Sequence, residues 1–184
     1  GIGYQVAKDL HADSNYQVIA SARKVDDVER LKAEGLECVQ LDLQNAASIN
    51  SAFDEVLTLT EGRLYGLFNN GAYGQPGAVE DLTGEMIRAQ FETNVFGTMQ
   101  LTNLAIKHMR QQGTGRIIFN SSVLGFVSLT LRGAYNASKY AIEGFADTLR
   151  LELKDSGIYV SLVEPGPIIS NFRHNSHSMY INTL

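Results

Sequence analysis

A single cysteine, Cys38, occurs in 184 residues. That excludes a disulfide framework within the chain and a cysteine-rich zinc site, and it fits a reducing compartment. Basic residues do not predominate: 15 Lys and Arg stand against 20 Asp and Glu, a formal net charge of -5. The electrostatic footprint of a nucleic-acid binder is therefore missing. No apolar run approaches the roughly 18 residues that a membrane span requires; segments such as 117–119 are short and run into polar residues. Together these absences read as a soluble, cytoplasmic protein with no nucleic-acid and no membrane partner. Prolines are also scarce, three against 17 glycines, a balance of tight turns and close backbone approaches rather than of disordered linker. With 44% hydrophobic residues the chain can bury a sizeable core, at a length that suits one domain or a small pair.

Short β-branched runs alternate with longer stretches of helical period, the pattern of repeated strand-helix-strand units and a parallel sheet. The strands expected are 16–22, 37–41, 64–68, 116–120 and 158–163, each short, apolar and expected to be buried on both faces. Helices are expected over 4–12, 26–34, 46–60, 85–111 and 135–154. In the last, Tyr135, Lys139, Ile142, Ala146, Leu149 and Leu153 recur at spacings of three and four and share a face. Gly35, Gly62, Gly113 and Gly157 stand where helix C-terminal caps belong. The fold class expected is α/β, a doubly wound parallel sheet with no evident domain boundary, so that 1–184 form a single domain.

Gly1, Ile2 and Gly3 pass directly into a helix. They are either loop punctuation or the second half of a glycine-rich phosphate turn, in which missing side chains let a pyrophosphate reach the helix amides. Tyr135 and Lys139 lie four apart at the start of a helix, so phenol and ammonium are one turn apart on one face. Alone this is an ordinary solvated pair. Ser121 and Ser122 follow an apolar strand directly, with Ser122 thirteen residues before Tyr135, and ligands of parallel sheets sit at strand carboxyl ends.

The ordered set Gly1-Ile2-Gly3, Asn69-Asn70-Gly71, Asn94, Ser122, Tyr135-x-x-x-Lys139 and Pro165-Gly166 resembles the short-chain dehydrogenase/reductases over essentially the whole chain. Glu164-Pro165-Gly166-Pro167 and Arg23-Lys24 resemble the branch with 17β-hydroxysteroid dehydrogenase-like, retinol dehydrogenase-like and bacterial aldehyde reductase members. The resemblance implies a Rossmann-type fold and four catalytic residues, Asn94, Ser122, Tyr135 and Lys139. Tyr135 would be general acid in reduction and base in oxidation. An unperturbed phenol titrates near 10 and is a poor base at neutral pH; Lys139 would lower that value and also bond the nicotinamide ribose. Ser122 would hydrogen bond the substrate oxygen as charge develops on it. Asn94, within the helix over 85–111, would hold a water that connects Lys139 to solvent.

Gly1, Ile2, Gly3, Tyr135 and Lys139 would also contact cofactor, as would Asp42 near the adenine and Asn69 on the adenosine side. Gly71 precedes Ala72, reversing the family's usual order and placing a methyl group where the backbone is normally bare. Pro165, Gly166 and Ile168 match the stretch that packs on the nicotinamide carboxamide, and Ser170 takes the usual threonine place. NAD-preferring relatives end the second strand with an acidic residue, where this chain has Ala22 followed by Arg23 and Lys24. Arg23 could hold a 2′-phosphate through its planar fork. The expected cofactor is NADP rather than NAD.

The function implied is NADP-dependent interconversion of a carbonyl, aldehyde or ketone, and an alcohol by hydride transfer; the alternative is a catalytically silent NADP(H)-binding sensor or scaffold. Phe91, Val95, Phe96, Phe145 and Leu149 widen the apolar faces of the helices over 85–111 and 135–154, and relatives pair these two helices as homodimers or homotetramers. His174 and His177 read as a polar loop rather than a metal pair, so no metal is expected, and Cys38 reads as an inert small hydrophobe. The family's first strand lies between those at 16 and 64 and precedes the phosphate turn. On that basis the strands at 16 and 37 form one set and those at 64, 116 and 158 another. The natural protein is then expected to carry about ten or more residues before Gly1, allowing about 5 to 6 for the strand, and further chain after Leu184.

Overall fold

A computed structural model of the chain describes residues 1–170 and Phe172. Helices and strands alternate in α1 Ile2–His11, β1 Ile19–Ala22, α2 Val25–Ala33, β2 Glu37–Gln40, α3 Ala46–Leu59 and β3 Gly66–Asn69. Then come α4 Gly84–Phe91, α5 Thr98–Gln112, β4 Gly115–Asn120, α6 Gly133–Glu152 and β5 Ile158–Val163. Every strand pairing is parallel, β1 with β2 and β3 with β4 with β5, in two sheets whose membership follows the two sets expected.

Local chemistry sets the ends. Asn45 is extended, and its side chain accepts from the amides of Ala47 and Ser48, which starts α3; Thr83 does the same for α4 through Met86. Gly113 ends α5 with φ 78°, a left-handed cap that costs a residue without Cβ little. Gly157 needs its bareness for a second reason, since a Cβ there would lie 2.2 Å from the Gly113 carbonyl oxygen.

The main core packs α5 and α6 on one face of β4 and β5, with Phe53 of α3, Met109, Ile117, Phe119, Ile142 and Ala146 at its centre. The expected face of α6 is buried throughout, from Tyr135 to Leu153. A second cluster joins Val28, Leu31, Leu36 and Cys38 between α2 and β2. Contrary to the expectation drawn from their apolarity, the strands are not all buried on both faces. β5 alternates, with Ile158 and Val160 buried but Tyr159 60% exposed, because helices α5 and α6 cover only one side of it. On the other side Arg116 lies over the Tyr159 ring, 4.2 Å from its centroid.

The expected continuous helix over 85–111 is three pieces, because the π-helical segment Glu92–Gly97 separates α4 from α5. Thr98 Oγ1 donates to the Thr93 carbonyl (3.2 Å) there, and the extra residue per turn rotates the side chains that follow. Gly97 ends the segment hard against the loop after β2: a Cβ on it would stand 1.9 Å from the Leu43 carbonyl oxygen. Gly144, by contrast, lies within α6, and among the described residues nothing lies within 4 Å of a Cβ placed on it.

These two glycines should respond oppositely to one methyl group. Gly97→Ala is expected to cost about 3 kcal/mol or more by overpacking, roughly 6–12 °C in Tm for a chain of this size. Gly144→Ala is expected to gain about 0.5–1 kcal/mol from lower unfolded-state entropy. Thermal melts of the two variants beside the parent check both signs.

Candidate active site

The carboxyl ends of β3 and β4 and the first turns of α6 meet the π-helical segment. β4 delivers Asn120, Ser121 and Ser122 in succession; Ser122 accepts from the Leu124 amide (3.1 Å), which opens the short 3₁₀ turn Val123–Gly125. α6 begins nearby, so Tyr135 lies alongside Ser122, and Tyr135 and Lys139 are both buried. The Lys139 Nζ is 5.6 Å from the centroid of the Tyr135 ring and donates to the Asn120 carbonyl (2.7 Å).

Asn94 is 2% exposed, brought inward by the π-helical turn rather than lying on a helix surface. Its Nδ2 donates to the Tyr73 carbonyl (3.1 Å) and to Ser138 Oγ (3.0 Å), while its Oδ1 accepts from the Tyr73 amide (3.3 Å). Both amide protons are thus engaged by protein, and one acceptor site is left for the expected water. A cavity of about 10 Å³ between Asn69, Asn94, Asn120 and Lys139 is at the lower limit for one water molecule. Asn120 Oδ1 is buried there without a partner among the described residues.

Sequence reasoning missed Gln90, four residues before Asn94 and fully buried. Gln90 accepts from the Gln75 amide (2.7 Å) and donates to the Tyr73 carbonyl (2.8 Å), so two amides one turn apart hold the loop that follows β3. Their four-residue spacing was visible in the sequence, but a polar pair on an assumed regular helix reads as a solvated face. Phe172 was missed as well; its ring centroid is 5.5 Å from that of Tyr135.

The expected cofactor residues fall in the first turn of α1, at and beyond the carboxyl ends of β1, β2 and β3, and in the segment after β5. Gly1 opens α1 with no capping side chain and no acidic residue in its first turn, and its Cα faces Ser170, whose Cβ would be 3.8 Å from a Cβ on Gly1. Ile2 is half-buried in the first turn. Gly3 is bare because Asn70 lies against it: a Cβ would be 2.4 Å from Asn70 Nδ2. Gly71 likewise yields to Leu43, whose Cδ1 would be 2.6 Å away, so the reversed Gly71-Ala72 order leaves room on the side where Leu43 enters. Asn69 donates to Thr102 Oγ1 (3.0 Å), tying β3 to α5.

Asp42 forms a turn, with Oδ1 accepting from the Gln44 amide (2.9 Å). Pro165 accepts from the Val123 amide (3.2 Å), which draws the segment after β5 to Ser122. Gly166 and Ile168 follow it, exposed, and Ser170 Oγ accepts from the Phe172 amide (3.3 Å). Arg23 is exposed just beyond β1, and its carbonyl accepts from Gln40 Nε2 (3.1 Å). The first turn of α2 carries Asp26 and Asp27 beside it, and Asp27 is engaged by Arg30 (3.4 Å). His174 and His177 lie outside the described residues.

A family model described as short chain dehydrogenase matches residues 1–180. The chain belongs to the short-chain dehydrogenase/reductase family. It is 45% identical over 175 residues to the uncharacterized oxidoreductase YbbO of Escherichia coli K12, covering 95% of this chain and 65% of that protein. Human retinol dehydrogenase 8 is 34% identical over 178 residues, covering 94% of this chain and 57% of that protein. The chain thus spans about two thirds of the length of these relatives or less. Among solved structures, ElxO with NADP bound superposes with a TM-score of 0.86 at 25% identity, over 97% of this chain and 74% of that one. These matches establish the Rossmann-type fold.

The electrostatics of the family's Tyr-Lys pair run against one expectation. Burial pushes the Tyr135 phenol above its usual value; the groups that oppose this are the Ser122 hydroxyl and the Arg132 charge, not Lys139. The ammonium is directed to the Asn120 carbonyl instead. Burial also lowers Lys139 to about 8, with Glu143 pulling the other way. Between about pH 8 and the unfolded value near 10.5 the native state binds fewer protons than the unfolded chain. Native stability therefore rises with pH across that window.

At pH 7 the shift corresponds to about 3 kcal/mol of destabilisation, whereas an unpartnered Asn120 carbonyl costs about 1–3 kcal/mol. Lys139→Met is therefore expected to be more stable than the parent at pH 7, by about 1–2 kcal/mol. The advantage should fade toward pH 10. Paired urea titrations at the two pH values measure it, and a pH-independent difference would count against the buried charge.

Proposed function

We propose that this chain is the nucleotide-binding and catalytic part of a cytoplasmic, NADP-dependent oxidoreductase that interconverts a carbonyl and an alcohol. The observation that carries the reading is the convergence of Ser122, Tyr135 and Lys139: a strand-end hydroxyl, a buried phenol and a buried ammonium on one small volume. The family's reaction needs those three groups together, and each is costly to bury without such a use.

The residues fit a dinucleotide. The first turn of α1 has no acidic side chain and no side-chain cap, which suits its amides and dipole to a phosphate. Gly1, Ile2 and Gly3 would hold the pyrophosphate, Asp42 and Asn69 the adenosine side, and Gly71 the adjoining loop. Pro165, Gly166, Ile168 and Ser170 would hold the nicotinamide end, and Lys139 the ribose. When bound, the nicotinamide supplies or accepts the hydride.

The chain's own residues supply position and charge. Ser122 donates a hydrogen bond to the substrate oxygen, favouring the negative charge that develops there during reduction. Tyr135 gives that oxygen its proton, and burial keeps the phenol protonated at neutral pH. In oxidation the proton returns to Tyr135, and the Ser122 hydroxyl and the Arg132 charge favour the phenolate. Asn94 fixes the loop at Tyr73 and, through its remaining acceptor site, the water next to Lys139.

Phe126 and Leu129 are 56% and 58% exposed in the nine-residue stretch between Ser122 and Arg132, beside the catalytic groups. They support a substrate with an apolar body, in keeping with the name of retinol dehydrogenase 8. Phe96 and Phe145 are exposed as pairing of the two long helices requires, whereas Val95 and Leu149 are core residues; Phe91 is half-buried. A homodimer or homotetramer is proposed on Phe96 and Phe145.

Tyr135→Phe is expected to lower the turnover of aldehydes or ketones by about 10² to 10⁴ while NADPH binding stays within a few-fold, since the phenol acts only in the proton transfer. Nicotinamide absorbance against a panel of both carbonyl classes, with fluorescence binding, measures the two quantities. More than about a tenth of the parent rate in Tyr135→Phe would remove the phenol from its role. NADPH binding without turnover in the parent would favour the sensor instead.

Arg23, exposed at the end of β1, is the group placed for a 2′-phosphate. Arg23→Asp is expected to reverse or abolish preference for NADPH over NADH, read as the ratio of kcat/KM values. Equal efficiency of the parent with both cofactors would sink the assignment.

A further inference from the structure

Glu143 takes no part in the reaction as derived, yet it is held where its charge matters. It lies four residues beyond Lys139 on α6, one turn along the same face. Its Oε1 accepts a hydrogen bond from the Ser121 hydroxyl. Ser121 is itself buried at the end of β4, its amide donating to the Val163 carbonyl (2.8 Å).

The 3₁₀ turn closes over the pair: a Cβ on Gly125 would lie 2.8 Å from Glu143 Oε1 and 2.9 Å from Ser121 Oγ. Among the described residues no lysine or arginine forms a salt bridge with Glu143. The carboxylate is therefore fixed by a neutral hydroxyl and a bare backbone, not spent on an exposed ion pair. Lys139 holds the carbonyl of Asn120, the residue immediately before Ser121. Glutamate and lysine thus grip adjacent residues of one strand end from adjacent turns of one helix.

We propose that Glu143, clamped by Ser121, is a positioning residue that keeps the Lys139 ammonium charged and directed at the end of β4. The proposal rests on the reading of Lys139 as the partner of Tyr135. Glu143 is the one charge that opposes the effect of burial on Lys139. The other titratable groups on α6 and on the elements packed around it are Arg132, Tyr135, Tyr140, Asp147, Arg150 and Glu152 of α6 and its start, Glu85 and Arg88 of α4, Glu92 of the π-helical segment and Tyr159 of β5. None of these contributes to the shift at Lys139. Asn94, Asn120 and Ser122 face the site as neutral groups.

Glu143→Gln removes the charge and keeps an acceptor for Ser121. In protein carrying ¹³C-labelled lysine, without cofactor, the Lys139 resonance is identified by its loss in Lys139→Arg. Its titration midpoint is expected about half a pH unit or more lower in Glu143→Gln. The alkaline limb of NADPH-dependent carbonyl reduction should move to lower pH by the same amount. Asp147→Asn, which removes an exposed carboxylate one turn further along α6, should move neither. An unmoved Lys139 midpoint in folded Glu143→Gln overturns the proposal, as does an equal shift in Asp147→Asn. Should Glu143→Gln fail to fold, Ser121→Ala gives the same reading: releasing the clamp is expected to lower the midpoint by a smaller amount, and no change overturns the proposal. Absence of carbonyl turnover in the parent would tell against the oxidoreductase reading alone, because the resonance midpoint is measured without turnover.

Discussion

A buried ammonium with one backbone carbonyl to receive it governs the arrangement of this protein. Lys139 is 4% exposed, and its hydrogen bond to the Asn120 carbonyl joins the first turns of α6 to the carboxyl end of β4. A charge in such a place is tolerated only while that bond and the surrounding dipoles are kept. The relation between helix and strand is correspondingly strict. Ser122 and Tyr135 belong to those same two elements, so the bond that accommodates the lysine also sets hydroxyl against phenol.

Close backbone approaches transmit that strictness outward. Leu43 enters between Gly71 and Gly97, where its methyl group would meet a Cβ on the first and its carbonyl a Cβ on the second. The loop after β2 is thereby locked to the loop after β3 and to the π-helical segment. Asp42 precedes Leu43, so its position relative to Asn94 follows from packing that involves neither side chain. The end of β2 is thus fixed by contacts made without any charged group.

The sequence revealed the periodic parts of the structure well. Five strands and the buried face of α6 were legible because short β-branched runs and the period of 3.6 are written in apolar residues, and Gly35, Gly62, Gly113 and Gly157 all adopt positive φ where caps were expected. Tyr135, Lys139 and Ser122 were legible through spacing and order. The π-helical segment was not, because a single inserted residue leaves the apolar pattern of 85–111 nearly intact while rotating Asn94 inward. Gln90 escaped for the same reason: its partners are backbone groups of a loop that no helical period describes. The exposure of Tyr159 was hidden because β5 is apolar on both faces, although helices cover only one of them.

What remains is a division of labour along β4. Toward its beginning and middle, Ile117 and Phe119 face α5 and α6 in an almost wholly apolar cluster, where burial is favourable and directionless. Past Asn120 the buried residues change character: Asn94, Ser121, Ser122, Ser138 and Lys139 lie within one polar neighbourhood, with Gln90 behind them. Hydrogen bonds there contribute little net stability but penalise every misalignment. Apolar packing holds the helices on the sheet, and the amide and hydroxyl network selects one orientation for each buried polar side chain. The partnerless Asn120 Oδ1 lies at the junction of the two regions, beside the water-sized cavity.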